Sequence, residues 1–195
     1  MAREETASID LVDAETVRQL SAAVMLAALT AVLAQFSIDL PGGVPFSFQP
    51  FGIFFAGLLL GPVWGGFSIS LYVLVGLAGA PVYSNAAAGL GYVLGPTGGF
   101  LVGFAVAAVV IGAVAHRSLT PTPIATLSAL PTAAALLAGL VVIYLIGLPW
   151  LATVNGWTLT RAASFMALFA VGDLLKTAIT TGIVAGGTEL FADRR

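Results

Sequence analysis

"LFAVGDLLKTAITTGIVAGG", Leu168 to Gly187, is long and apolar enough to cross a bilayer as one helix, which takes about 20 residues. Yet Asp173 and Lys176 stand in its middle. Lys176 is the one Lys of the chain, against nine acidic residues. A charge at the bilayer centre costs about 2.5 to 3.5 kcal/mol on insertion scales. At the rise of a helix, Asp173 lies ~18 Å along the axis from Arg161, and Lys176 ~22 Å. The hydrocarbon core is about 30 Å thick, so both lie too deep to snorkel easily. The i, i+3 spacing puts them on one face. Continued at helical spacing, that face holds Phe165, Phe169, Asp173, Lys176 and Thr180. It reads as a cavity wall with rings on the outer side and hydrogen-bonding groups below. The competing reading is a buried ion pair that fixes helix packing.

The rest of the chain agrees with a membrane protein. It has 195 residues, 59% hydrophobic and 8% charged, with a mean hydropathy of +1.05. Soluble domains are about 25% charged, so a soluble globule is excluded. The absence of Cys excludes disulfides, thiolate metal sites and a Cys nucleophile. His116 alone cannot build a His-based metal site. The start, "MAREETASIDLVDAETVRQL", has no basic stretch ahead of an apolar core, so it is not read as a cleaved signal peptide. No basic tract suggests nucleic acid.

Between Arg18 and Arg117 the one charged residue is Asp39, and Gly and Pro punctuate the apolar runs. Six spans fit, which predicts an all-α membrane protein with a single transmembrane domain over 18–190. A polar cytoplasmic segment over 1–17 precedes it and a tail over 191–195 follows. The first span is Arg18 to Ser37, followed by the turn-rich "DLPGGVPFSFQP". The second starts at Phe51 and breaks at "GPVWGG", Gly61 to Gly66, into the third, although the two can also be one bent hairpin. A second irregular loop holds Asn85 and Pro96. The fourth span is Gly98 to Ala115, the fifth Leu127 to Leu148 and the sixth Ala162 to Gly187. "PWLATVNGWTLTR" between the last two reads as a loop or short interfacial helix, with Trp150 and Trp157 suited to the headgroup level.

With six spans, Arg3, Arg18, Arg117, Arg194 and Arg195 share one side and Arg161 takes the other. The positive-inside rule then puts both termini in the cytoplasm. Asp39, Asn85 and the Trp-bearing loop face outward.

The buried pair suits a bound solute better than a proton wire, because no other acidic residue lies inside a span. Asp accepts from N–H donors and Lys donates to a carbonyl or carboxylate. An intramembrane enzyme is disfavoured: no His, Cys or second carboxylate joins the pair within a span. A stand-alone transporter of a small solute is the main alternative, although neither inverted repeats nor a charged pore ring stands out.

Four segments carry a resemblance. "PGGVPFSFQPFGIFFAGLLLGP" (Pro41 to Pro62), "GLAGAPVY" (Gly76 to Tyr83), "LGPTGGFLVGF" (Leu94 to Phe104) and "GDLLK" (Gly172 to Lys176) resemble the BioY family. Its members are biotin-binding substrate-specificity components, or S components, of energy-coupling-factor (ECF) transporters. The resemblance covers nearly all of the chain after Arg18. It implies a six-helix S-component bundle in a prokaryotic cell membrane, binding biotin near its outer side for high-affinity uptake. It implies as partners a transmembrane coupling subunit and two ATPase subunits. The chain has no phosphate-binding loop of its own, so ATP would be used by those partners. No cofactor is expected in this chain.

Biotin offers two ureido N–H donors, a carbonyl acceptor, an apolar thioether ring and a carboxylate tail. The resemblance assigns Asp173 to a ureido N–H and Lys176 to a ligand oxygen. Asn85 could meet the same ring, with Gln49 a further polar candidate. Phe165, Phe169 and Tyr83 are candidates to pack on the thioether ring. Gly98 and Gly99, opening a helix, give a minor alternative site for the carboxylate. The first span carries a small-residue stripe, Ala23, Ala27, Ala31 and Ala34, of the kind that lets helices approach closely. In the family such a stripe docks the coupling subunit.

Overall fold

The structure is a computed structural model that describes residues 13–40 and 42–192, with side chains through residue 187. Most of the expected polar segment 1–17, Pro41 and the last three residues of the tail lie outside the described residues. Helix α1 spans Ala14–Gln35 and starts at Asp13, whose carboxylate accepts from the Thr16 N–H at 2.7 Å. That bond, with the Thr16 hydroxyl next, holds the Asp13 carboxyl below its ordinary value.

The turn-rich segment after α1 departs from an all-helical expectation. Strands β1 (Ser37–Asp39) and β2 (Pro45–Ser47) pair antiparallel, with Ile38 opposite Phe46. Gly42 and Gly43, both at positive φ, make the turn between them. The sequence reading missed this strap because three-residue strands are too short for an alternation pattern.

Helix α2 (Gln49–Leu77) is broken at Gly61, at φ 72° and ψ −172°, immediately before Pro62. Glycine takes that backbone without steric cost, and the Pro ring then prevents the helix from continuing backwards through it. The chain reverses there. The Gln49 amide donates to the Tyr72 hydroxyl at 2.6 Å, whereas 23 residues of unbroken helix would hold them ~34 Å apart. The expected break at "GPVWGG" is therefore the apex of a bent hairpin with arms over 49–60 and 62–77.

A short helix, α3 (Leu90–Val93), leads into α4 (Gly98–His116). Helices α5 (Ala129–Asn155) and α6 (Leu159–Ala192) complete the bundle. Both run past their expected ends. Pro149 is accommodated inside α5, so most of the segment expected as a loop or short interfacial helix belongs to the two long helices. Only 156–158 remains between the two helices.

α2 and α4 pack together, α5 packs on α4, and α1 and α6 flank this centre. Ile53, Phe54, Leu58, Ile69, Ile111 and Leu136 fill the core with no exposure. The outside is equally apolar: on α6, Leu168, Val171 and Leu175 are each more than 60% exposed. Contiguous apolar surface on this scale needs a lipid solvent. Among the described residues, five helices are long and apolar enough to cross a membrane, with α2 taken as one of them.

Candidate ligand cavity

On α6, Ala162, Met166, Phe169, Asp173, Lys176, Thr177, Thr180 and Val184 are buried. Their spacing follows the helical period, so the charged pair lies on the face turned to the bundle. Lys176 Nζ donates to Asp173 Oδ1 at 2.8 Å. Tyr144 of α5 donates its hydroxyl to Asp173 Oδ2 at 2.9 Å. Both carboxylate oxygens are thus held, and each retains a second lone pair. Among the described residues Lys176 makes this one hydrogen bond, although its ammonium carries three donors.

The pair opens onto a cavity of about 50 Å³. Six segments of the chain build it. The strap contributes Val44 to Ser47, and the start of α2 adds Gln49 and Pro50. Tyr92 and Thr97 come from the approach to α4, and Phe100, Leu101 and Phe104 from α4 itself. Ile143 and Tyr144 of α5 and Met166, Phe169, Asp173 and Lys176 of α6 close it. A few polar groups converge in an otherwise apolar and aromatic chamber, the usual composition of a small-molecule site.

A second polar group sits at the cavity edge. Gln49 is 5% exposed. Its Oε1 accepts from Ser47 at 2.7 Å and from Ser84 at 3.1 Å, while its amide reaches Tyr72. This network ties the strap to α2 and to the loop after it.

Asp173, Lys176, Phe169 and Gln49 therefore share one chamber. The other expected site residues lie elsewhere. Phe165 packs between Phe169 and Trp157, at ring distances of 5.4 and 5.5 Å. Tyr83 is buried between Tyr72 and Tyr92 and donates to the Val73 carbonyl at 2.6 Å. Burial, then the neighbouring Tyr92, pushes its hydroxyl up to about 12. Asn85 is exposed and in the left-handed region, with φ 58°. Its amide donates to Asp39 Oδ1 at 2.5 Å, and its Oδ1 accepts from Ser37 at 3.0 Å. Those bonds fasten the strap from outside. Gly99 packs against Trp150, whose indole N–H donates to the Gly95 carbonyl at 2.8 Å.

On α1, Ala23 is fully buried, and its carbonyl accepts from Ser68 of α2 at 2.8 Å. Ala27 and Ala31 line an apolar groove between α1 and α2, with Ala28, Leu71 and Val75.

The sequence reading missed Tyr144 and Phe46. Tyr144 is 29 residues from Asp173 in the chain, so no local spacing pairs them. The available signal was a lone polar tip in the middle of an apolar span. Phe46 Cζ and Cε2 lie against Gly172, and its ring centroid is 4.1 Å from Lys176 Nζ. Only the strap's fold brings it there.

Comparison with known proteins decides the family. Residues 4–193 match the model of the BioY family. The chain belongs to the BioY family. Among BioY relatives, the "Probable biotin transporter BioY" of Pyrococcus horikoshii is 36% identical over 86% of this chain and 94% of its own. One of the same name from Lysinibacillus sphaericus is 39% identical over 87% and 82%. A crystal structure of the S-component for biotin from an ECF-type ABC transporter superposes with a TM-score of 0.79 at 26% identity. It covers 89% of this chain and 92% of the other. Membership, with the apolar helices, makes the chain a multi-pass protein of the cell membrane. These BioY relatives are transporters or transporter components rather than enzymes.

Proposed function

We propose that this chain is the biotin-binding S component of an ECF transporter and that it captures biotin for uptake in the cavity over Asp173 and Lys176. The observation that carries the reading is the buried ion pair facing an aromatic chamber with unused hydrogen-bonding capacity. Asp173 keeps lone pairs for a ureido N–H, and Lys176 keeps N–H donors for a ligand oxygen. Phe169, Tyr92, Phe100, Phe104 and Met166 supply apolar and aromatic surface for the thioether ring. Gln49 stands at the strap side. The proposed ligand shell leaves out Asn85, Tyr83 and Phe165, whose partners here are protein groups.

A chamber of about 50 Å³ holds a few water-sized groups. A bicyclic ligand therefore enters with an outward shift of lining side chains. One wall is the strap, a two-stranded ribbon of short strands.

The same reading counts the arms of α2 as two membrane segments, six in all, with both termini cytoplasmic. The reversal at Gly61 and the Arg distribution support it. The domain would then be 18–190, flanked by the polar segments 1–17 and 191–195. A coupling subunit and two ATPases would supply energy, and no cofactor is assigned to this chain. The Ala27–Ala31 groove is the proposed docking place of the coupling subunit, because small side chains let another helix approach closely.

The test is calorimetric titration of biotin into the purified, detergent-solubilised chain without ATPases. Sub-micromolar binding is expected. A folded sample that binds no biotin removes the reading.

A further inference from the structure

Phe46 lies on the strap, yet its ring reaches α6. Its centroid is 4.1 Å from Lys176 Nζ and 5.9 Å from the Phe169 ring. The approach is possible because residue 172 is glycine: a Cβ there would overlap the Phe46 ring. Of the α6 glycines, Gly172 alone has a side chain against it: a Cβ at Gly182, Gly186 or Gly187 would meet nothing within 4 Å. Lys176 is 5% exposed and, among the described residues, makes one hydrogen bond. A buried ammonium needs compensation beyond a single acceptor. The negative face of an aromatic ring provides it without capturing an N–H in a fixed bond.

We propose that Phe46 is a positioning residue for Lys176: its ring face holds the ammonium beside Asp173 while leaving N–H donors free for a ligand oxygen, and Gly172 is present to admit the ring. A polar residue at 46 would occupy those donors, and an aliphatic one would leave the ammonium with Asp173 as its one partner among the described residues. Ser47, bonded to Gln49, anchors the neighbouring strap backbone and so fixes the ring's reach. The ligand named here rests on the proposed function; the contact between Phe46 and Lys176 does not.

Two measurements on the purified full chain test it. In biotin titration, Phe46→Leu should bind about tenfold more weakly, while Phe46→Tyr, which keeps the ring face, should stay within about threefold of the parent. Gly172→Ala, which displaces the ring without removing it, should reproduce the Phe46→Leu loss. Equal losses in the Leu and Tyr variants overturn the proposal, as does undiminished binding by folded Gly172→Ala. The second measurement is thermal unfolding without ligand for Phe46→Leu, Lys176→Met and the double variant. Phe46→Leu should lower Tm more when Lys176 is present than when Met replaces it. Additive shifts would reduce Phe46 to an apolar wall. If the parent chain binds no biotin, the proposed function fails, and the unfolding cycle alone decides the contact.

Discussion

His116 and the Asp173–Lys176 pair are both polar groups buried in an apolar bundle, at 7%, 9% and 5% exposure. Their surroundings differ. His116 closes α4 at the α2 apex. Its Nδ1 accepts from the Thr122 N–H at 3.1 Å, so Nε2 carries the proton and donates to the Leu58 carbonyl at 3.1 Å. Both ring nitrogens are used on fixed protein partners. Lys176 spends one donor and faces a cavity. Burial of polarity therefore does not by itself mark a ligand site. Unused hydrogen-bonding capacity over a chamber does.

The comparison is broken most easily at Asp173. Asp173→Asn keeps the shape but removes the charge, and should weaken biotin binding about 100-fold or more, measured by titration of folded protein. Lys176→Ala should cost about 30-fold in the same assay. If either variant instead unfolds in detergent while its folded fraction binds normally, the pair is a structural staple like His116. His116→Ala should do the opposite. Leaving the Leu58 and Thr122 groups unpaired should lower unfolding stability by about 1–3 kcal/mol, with biotin affinity of the folded protein unchanged within about twofold. A large affinity loss there would erase the contrast.

The smallest effect is expected at Asp13. Its folded-state value lies below the ordinary 3.8, so its contribution is complete above that value and is lost as pH falls through the folded one. Between about pH 5 and about pH 3, Tm of the parent chain should fall slightly more than that of Asp13→Asn. Equal slopes would show that the cap contributes nothing to acid sensitivity.

The face of α6 was legible in the sequence because it is a local property. Residues 169, 173, 176 and 180 follow one helical period, and the charges within an apolar run mark the side that avoids lipid. The helix ends were less legible. The fifth span was expected to end at Leu148, but α5 continues through Pro149, and Thr153 bonds back to the Pro149 carbonyl at 2.8 Å. For Asn85, polarity and loop setting are visible in sequence, but its bonds to Asp39 and Ser37 are not. The alanine stripe was visible as spacing, whereas the burial of Ala23, Ala27 and Ala34 against the bundle, with Ala27 and Ala31 edging a groove, depends on where α2 lies.

By itself the sequence determined the membrane class, the apolar spans, the family resemblance and the charged face of α6. These rest on composition and on periodicity within single segments. Only the tertiary structure decided that Gly61 is the apex of the break expected at "GPVWGG", that Tyr144 holds the far oxygen of Asp173, and that Phe46 covers Lys176. Each of those depends on groups distant in the chain meeting in space, and spacing along one helix carries no record of what packs across from it.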